Sequence, residues 1–118
     1  MKGPMADQEL PYELTPREVE DRRKAGEKIC LIDVREDMEW QICRIEGANL
    51  VPMGTVPTRL QELDAQADAT PLIVYCHHGV RSLNVVYWLR KNGVENCQSM
   101  SGGIDRWSAE IDTTVPRY

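Results

Sequence analysis

The chain has 118 residues, of which 42% are hydrophobic and 28% charged, and these values suit one globular domain with a sizeable core. The formal net charge of −5 argues against a surface that binds nucleic acid in general. No apolar run approaches the roughly 20 residues of a membrane helix, and the opening residues lack the apolar stretch of an export signal, so we expect a cytoplasmic protein without a membrane partner.

Predicted helices and strands alternate along the chain. Short apolar runs predict the strands, whereas caps, prolines, glycine stops and apolar residues at helical spacing predict the helices. The polar residues 1–9 are expected to form a flexible lead-in, so the predicted single domain covers 10–118. In chain order, the predicted elements are a helix from Thr15 to Gly26, strand 29–34, helix 35–42, a strand near 49–51, a helix that begins at Pro57, strand 71–75, helix 80–92, strand 97–100, helix 102–111 and an extended tail, 112–118.

The predicted strands are apolar throughout, without a polar residue at every second position. Such strands, when helices come between them, predict an α/β fold whose parallel sheet is covered by helices on both faces. Ligands of these sheets bind at the C-terminal ends of the strands. Cys76 directly follows strand 71–75 and is therefore predicted to lie at such an end.

The stretch "PLIVYCHHGVRS" places a cysteine between a strand and a helix. The N-terminus of helix 80–92 presents unpaired backbone amides and a partial positive charge close to Cys76. Gly79 lets the loop curl so that successive amides point inward, and Arg81 adds a permanent cation that can hold an oxyanion. We expect a thiol at this position to lose its proton readily and to act as a nucleophile beside a small anionic ligand.

Four residues separate Cys76 from Arg81, and this spacing limits the size of the group that the loop can enclose on the sulfur. Cysteine phosphatases use a similar cradle whose loop is one residue longer and encloses a tetrahedral phosphate. The shorter loop favours a smaller group on the sulfur, such as one extra sulfur atom, over the rival interpretation of a phosphatase or arsenate reductase. A metal site formed by Cys76 and the two following histidines is disfavoured, because adjacent residues rarely converge on one ion.

The other three cysteines lie in or beside apolar elements and are expected to be structural thiols; they are Cys30, Cys43 and Cys97. Because a protein without an export signal stays in a reducing compartment, we expect free thiols and no disulfides.

Several motifs together resemble the single-domain rhodanese (rhodanese-like sulfurtransferase) family over about residues 10–118. They are "YCHHGVRS", "LIDVRE" with Glu39 downstream, "EGANLVP" and "SGGIDRW". The resemblance implies a sheet of about five short strands and a persulfide carried on Cys76. It also implies thiosulfate or a related small anion as sulfur donor and cyanide, a thiol or a protein as acceptor, with no metal and no organic cofactor.

Roles are expected for the residues around Cys76 from their chemistry and, for Asp33 and Arg35, from the resemblance. Arg81 is expected to orient the anionic end of the donor, with a surface ion pair as the alternative. For Ser82, capping of the helix is favoured over donation to the persulfide. For Asp33 and Arg35, support of the loop and substrate binding compete with a simple ion pair that joins two loops. The full set of predicted substrate-binding residues is Arg81, His77, His78, Gly79, Val80, Ser82 and Arg35, with Asp33 in support.

Two functions remain open at this point. The first is an enzyme that turns over a sulfur donor. The second is a persulfide carrier or binding module that delivers sulfur to a partner protein without efficient turnover. Both require Cys76, so the sequence does not separate them.

Overall fold

The computed structural model describes residues 10–118, and the predicted lead-in, 1–9, lies outside the described residues. Within 10–118 the chain forms five strands, five α-helices and two 3₁₀ turns. The strands are β1 Glu13–Leu14, β2 Cys30–Asp33, β3 Asn49–Leu50, β4 Leu72–Tyr75 and β5 Cys97–Met100. The helices are α1 Pro16–Lys24, α2 Asp37–Ile42, α3 Leu60–Ala69, α4 Val80–Lys91 and α5 Gly103–Glu110, and the 3₁₀ turns are Met53–Thr55 and Pro57–Arg59.

The five strands of the described region form one parallel sheet with the order β1-β5-β4-β2-β3. The central strand β4 pairs with β2, and Tyr75 lies opposite Asp33 in the register. The segments that follow β4 and β2 therefore leave the sheet side by side at the same edge. The site was predicted from the sequence to lie at these C-terminal ends of the strands. The predicted α/β fold with a parallel sheet is confirmed.

Two apolar cores lie on opposite faces of the sheet, because successive side chains of a strand point to opposite faces. Leu72 and Val74 of β4 join a core with residues of α3 and α4. Ile73 and Tyr75 join a second core with residues of α1 and α5. All four side chains are 0% exposed, so β4 is buried on both sides, as its continuous apolar sequence predicts.

Each predicted helix and strand has a counterpart in the structure; strand 97–100 has the predicted bounds, and the other elements differ at one or both ends. The capping box at Thr15 is present, since the backbone amide of Glu18 donates to Thr15 Oγ1 and that of Thr15 donates to Glu18 Oε1. The helix predicted to begin at Pro57 starts instead as a 3₁₀ turn and becomes α-helical at Leu60. Between Leu10 and Tyr118, no helix combines the length and the apolar character needed to cross a membrane.

Candidate active site

The sulfur of Cys76 lies at the base of the loop that joins β4 to α4. Cys76 as a whole is 1% exposed. The backbone amides of Gly79 and Ser82 donate to Sγ at 3.1 and 3.3 Å, and Sγ lies 3.4 Å from the hydroxyl of Ser82. Because α4 begins at Val80, these amides belong to its first turn, where the helix itself offers no acceptor. Two amides aimed at one sulfur are an arrangement that stabilises negative charge there.

Two glycines allow this loop to pack tightly. Gly79 adopts a left-handed conformation with a φ of +102° at the N-cap of α4. Gly103, at the start of α5, has a φ of +61°, and a Cβ there would clash with the carbonyl oxygens of Cys76 and His77. The amide of Ile104 donates to the Cys76 carbonyl at 2.9 Å. The N-terminus of α5 therefore packs directly against the cysteine loop.

Ser82 links the sulfur to the neighbouring strand β5. Its hydroxyl lies 2.7 Å from that of Ser99, and both residues are 0% exposed. It also donates to the carbonyl of Gly79 at 3.3 Å. The favoured prediction that Ser82 caps the helix is wrong, because Gly79 occupies the N-cap position and Ser82 lies inside the first turn. Its hydroxyl instead contacts the sulfur.

Arg81 makes a bidentate ion pair with Glu39 of α2. Its Nη1 and Nη2 donate to the two carboxylate oxygens at 2.7 and 2.9 Å, and the side chain keeps 32% exposure. Hydrogen bonding from Arg81 lowers the pKa of Glu39 to about 2, against the opposing effect of partial burial. The pairing with Glu39 in turn raises the pKa of Arg81. The contact fixes the plane of the guanidinium, and its role in binding a donor stays a prediction.

Asp33 ends β2 opposite Tyr75 of β4, Arg35 follows two residues later, and both are 0% exposed. Arg35 Nη2 donates to Asp33 Oδ2 at 2.6 Å and to the carbonyl oxygen of Cys43 at 2.6 Å. Burial alone would lower the pKa of Arg35, but hydrogen bonds and charge pairing with Asp33 outweigh it, so the pKa is raised. The pair is bound to the end of α2 through the Cys43 carbonyl, and support of the cysteine loop by Asp33 stays a prediction. Contact between Arg35 and a substrate stays a prediction.

The two histidines of the loop lie together at its outer surface. The ring of His77 stacks on that of His78 at a centroid distance of 3.8 Å, and on its other side it stacks on Tyr118 at 3.8 Å. Burial, followed by repulsion from His78, lowers the pKa of His77. Val80 is 69% exposed. Their predicted roles in substrate binding stay predictions.

One cluster offers three ligand atoms to a metal ion. A nitrogen of His77, a nitrogen of His78 and an oxygen of Asp105 lie within 4.8 Å of one another. The carboxylate of Asp105 already pairs with Arg117 through two contacts of 3.0 Å. An ion at this cluster would compete with Arg117 for the carboxylate of Asp105.

Three polar residues of the site were not assigned a role from the sequence: Glu39, Ser99 and Tyr118. Glu39 entered only as part of a family pattern, and no spacing rule pairs it with Arg81. Ser99 lies in β5, beside Cys76 only because β5 is the neighbour of β4. Tyr118 was assigned to an extended tail. Only the tertiary structure brings these three residues to the cysteine loop.

Comparison with known proteins agrees with this geometry. A family model described as "Rhodanese-like domain" matches residues 15–110. "Thiosulfate sulfurtransferase GlpE" of Haemophilus influenzae is 34% identical over 109 residues, which cover 89% of this chain and 99% of that protein. The structure of a rhodanese-like domain protein from Staphylococcus aureus superposes with a TM-score of 0.76 at 27% identity, covering 92% of this chain and 99% of that one.

A longer relative matches only in part. "Probable adenylyltransferase/sulfurtransferase MoeZ" of Mycobacterium tuberculosis is 33% identical over 105 residues, so the match covers 89% of this chain but 26% of that protein. This chain therefore spans about a quarter of the MoeZ relative. Because the family model covers most of the sequence and GlpE is similar over nearly its whole length, the chain belongs to the rhodanese-like family.

Proposed function

We propose that the chain is a thiosulfate sulfurtransferase that carries sulfur as a persulfide on Cys76. The observation that carries the proposal is the pair of amides, from Gly79 and Ser82, that donate to Cys76 Sγ. These donors would stabilise a thiolate before reaction and an anionic persulfide after it. The similarity to GlpE of Haemophilus influenzae, whose name states this activity, supports the same conclusion.

The proposed reaction has two steps on one residue. The Cys76 thiolate attacks the outer sulfur of thiosulfate, so a bond forms between the two sulfurs while the sulfur–sulfur bond of thiosulfate breaks. The electron pair of the broken bond leaves with sulfite. Cyanide or a thiolate then attacks the outer sulfur of the persulfide, and the released electron pair restores the Cys76 thiolate. The reaction needs no metal and no organic cofactor.

Arg81 supplies the positive charge that a dianionic donor requires. Glu39 engages two nitrogens of its guanidinium, which carries further N–H donors on its remaining edges. With 32% of its side chain exposed, Arg81 can reach a ligand at the loop surface. We therefore assign Arg81 to the sulfonate end of thiosulfate.

The burial of Cys76 favours a small donor. At 1% exposure, the residue admits only a slim group to its sulfur without movement of the loop. Thiosulfate presents a single terminal sulfur atom, whereas a protein persulfide brings a whole backbone. A small inorganic donor therefore fits this structure better than a protein persulfide does.

Thiocyanate formation from thiosulfate and cyanide tests the proposal. We expect many turnovers per protein molecule, complete loss of activity in Cys76→Ser, and full activity in Cys30→Ser, a matched control whose thiol lies at the opposite end of the sheet. A single stoichiometric burst without further turnover would support the carrier function instead. No thiocyanate at all would contradict both functions.

A further inference from the structure

Tyr118 lies over the cysteine loop although it comes 42 positions after Cys76 in the sequence. Its ring is nearly parallel to that of His77, with 7° between the planes. Its segment is held in place by the ion pair of Arg117 with Asp105 and by Val115, which is 8% exposed and packs in the second core. The position of Tyr118 is therefore defined by the fold.

The hydroxyl of Tyr118 connects the two arginines of the site. It accepts a hydrogen bond from Arg35 Nη1 at 2.8 Å and donates to Glu39 Oε2 at 2.7 Å. Burial raises the pKa of Tyr118 to about 12, so the hydroxyl keeps its proton at neutral pH. The carboxylate of Glu39 in turn accepts two hydrogen bonds from Arg81. A continuous polar chain runs from the buried Arg35 to Arg81 at the loop surface.

The carboxylate of Glu39 is held from two sides. The backbone amide of Glu36 donates to Oε1 at 3.0 Å, and Tyr118 donates to Oε2. A carboxylate fixed in this way presents both oxygens to Arg81 in one plane, and a bidentate pair transmits that orientation to the guanidinium. Without the tyrosine hydroxyl, Oε2 loses one of its two donors, and the orientation of the pair is held less firmly.

We propose that Tyr118 is a positioning residue for sulfur transfer: through Glu39, its hydroxyl fixes the guanidinium of Arg81 beside the Cys76 loop. This inference rests on the proposed function, because it assumes that Arg81 attracts an anion to the sulfur. Tyr118 itself does not act on the reacting atoms. Its effect is on the capture of an anionic reagent, and it leaves the thiol itself in place.

The substitution Tyr118→Phe tests the inference with a probe that does not depend on sulfur transfer. The probe is the rate of Cys76 alkylation by anionic iodoacetate divided by the rate with neutral iodoacetamide, read at Cys76 by peptide mass spectrometry. Because Phe leaves every charge of the site unchanged, we expect the ratio to fall about threefold or more through lost positioning alone. Tyr87→Phe, which removes the hydroxyl of an exposed tyrosine on α4, should leave it unchanged.

A double-substitution cycle with Arg81→Ala separates positioning from a general structural role. If Tyr118 acts through Arg81, Tyr118→Phe should have no further effect on the ratio once Arg81 is absent. An unchanged ratio in Tyr118→Phe, or an equal fall with and without Arg81, would overturn the inference. Tyr118→Leu, which also lacks the hydroxyl, provides a second variant with the same expected fall.

Kinetics with thiosulfate complete the test. In Tyr118→Phe we expect KM for thiosulfate to rise about threefold or more while kcat changes little, because donor capture is weakened and the sulfur cradle is intact. A fall in kcat at unchanged KM would contradict positioning of Arg81. If the wild-type protein transfers no sulfur but the alkylation ratio behaves as described, the proposed function fails and the positioning role stands.

Discussion

Arg81 and Arg35 each pair with a carboxylate, but the two pairs lie in different surroundings. Arg35 is fully buried with Asp33, whereas Arg81 and Glu39 keep 32% and 15% of their side chains exposed. A buried cation stabilises the local structure only while its partner is present. A partly exposed cation can exchange water for a ligand. This difference in exposure favours Arg81 over Arg35 as the proposed donor-binding residue.

The first expected outcome concerns Arg81→Ala. Loss of a charged hydrogen-bond donor should lower kcat/KM for thiosulfate about tenfold or more. Alkylation of Cys76 by neutral iodoacetamide should change much less, because the amides of Gly79 and Ser82 stay in place. Steady-state kinetics and alkylation rates measure the two effects. If kcat/KM and the alkylation rate fell by the same factor, the proposed role of Arg81 in donor binding would be wrong.

The second expected outcome concerns the buried pair. Asp33→Ala leaves Arg35 charged and without its main partner, which should lower the free energy of unfolding by about 3–5 kcal/mol. Replacing both residues, as in Asp33→Ala with Arg35→Met, removes the buried charge and should restore at least about 1 kcal/mol of that loss. Urea denaturation measures both. A double variant less stable than Asp33→Ala would contradict this explanation.

The sequence identified those residues of the site that are neighbours along the chain. Cys76, Gly79 and Ser82 could be placed together because a strand-to-helix loop forces their backbones close. Glu39 and Tyr118 could not, since their distance to Arg81 depends on how α2 and the segment after α5 pack on the sheet. Ser82 shows the limit within the loop itself: α4 begins at Val80 as predicted, so Gly79 is the N-cap and Ser82 lies in the first turn, where its hydroxyl contacts the sulfur.

Among the secondary-structure elements, α5 packs directly against the cysteine loop. A Cβ at Gly103 would clash with the carbonyl oxygens of Cys76 and His77, and the amide of Ile104 donates to the carbonyl of Cys76. Helix α5 therefore supports the loop as directly as α4 does. The sequence predicted α5 as a helix but did not predict this contact, because it depends on the order of β4 and β5 in the sheet.

The third expected outcome tests this contact with two glycines that both have a positive φ. At Gly93 a Cβ would meet nothing within 4 Å, so Gly93→Ala carries only the cost of a left-handed alanine, about 1 kcal/mol. Gly103→Ala adds a clash with backbone carbonyls and should cost at least about 2 kcal/mol more. Urea denaturation compares the two. Similar losses would show that α5 does not press on the loop.

Long apolar strands and capped helices could be predicted because their signals are local. The two-residue strand β1 could not, since it exists only through its pairing with β5, whose Ser99 and Met100 lie opposite Glu13 and Leu14. The 3₁₀ start of the segment after Pro57 also escaped prediction. Proline and apolar spacing are common to both kinds of helix, so the sequence did not distinguish them.

At the scale of the whole molecule, the Glu39–Arg81 pair links stability to pH. The folded-state pKa of Glu39, about 2, lies below its usual value near 4.3 in an unfolded chain. A carboxylate with a lowered pKa contributes stability that is complete above the unfolded value and is lost as the pH falls through the folded value. The window for this loss is therefore from about pH 4 to about pH 2.

The fourth expected outcome follows from that window. The difference in the free energy of unfolding between the wild type and Glu39→Gln should be largest above about pH 5 and should shrink between about pH 4 and 2. Glu110→Gln, which removes an exposed carboxylate paired with Arg106, should make little difference at any pH. Urea denaturation at several pH values measures both differences. A difference for Glu39→Gln that stays constant down to pH 2 would contradict the assignment.

The most direct test of sulfur transfer is the intact mass of the protein after incubation with thiosulfate. We expect a gain of one sulfur atom, about 32 mass units, that disappears on addition of cyanide and never forms in Cys76→Ser. A wild-type protein that gains no sulfur, or a Cys76→Ser variant that gains as much as the wild type, would contradict a persulfide on Cys76.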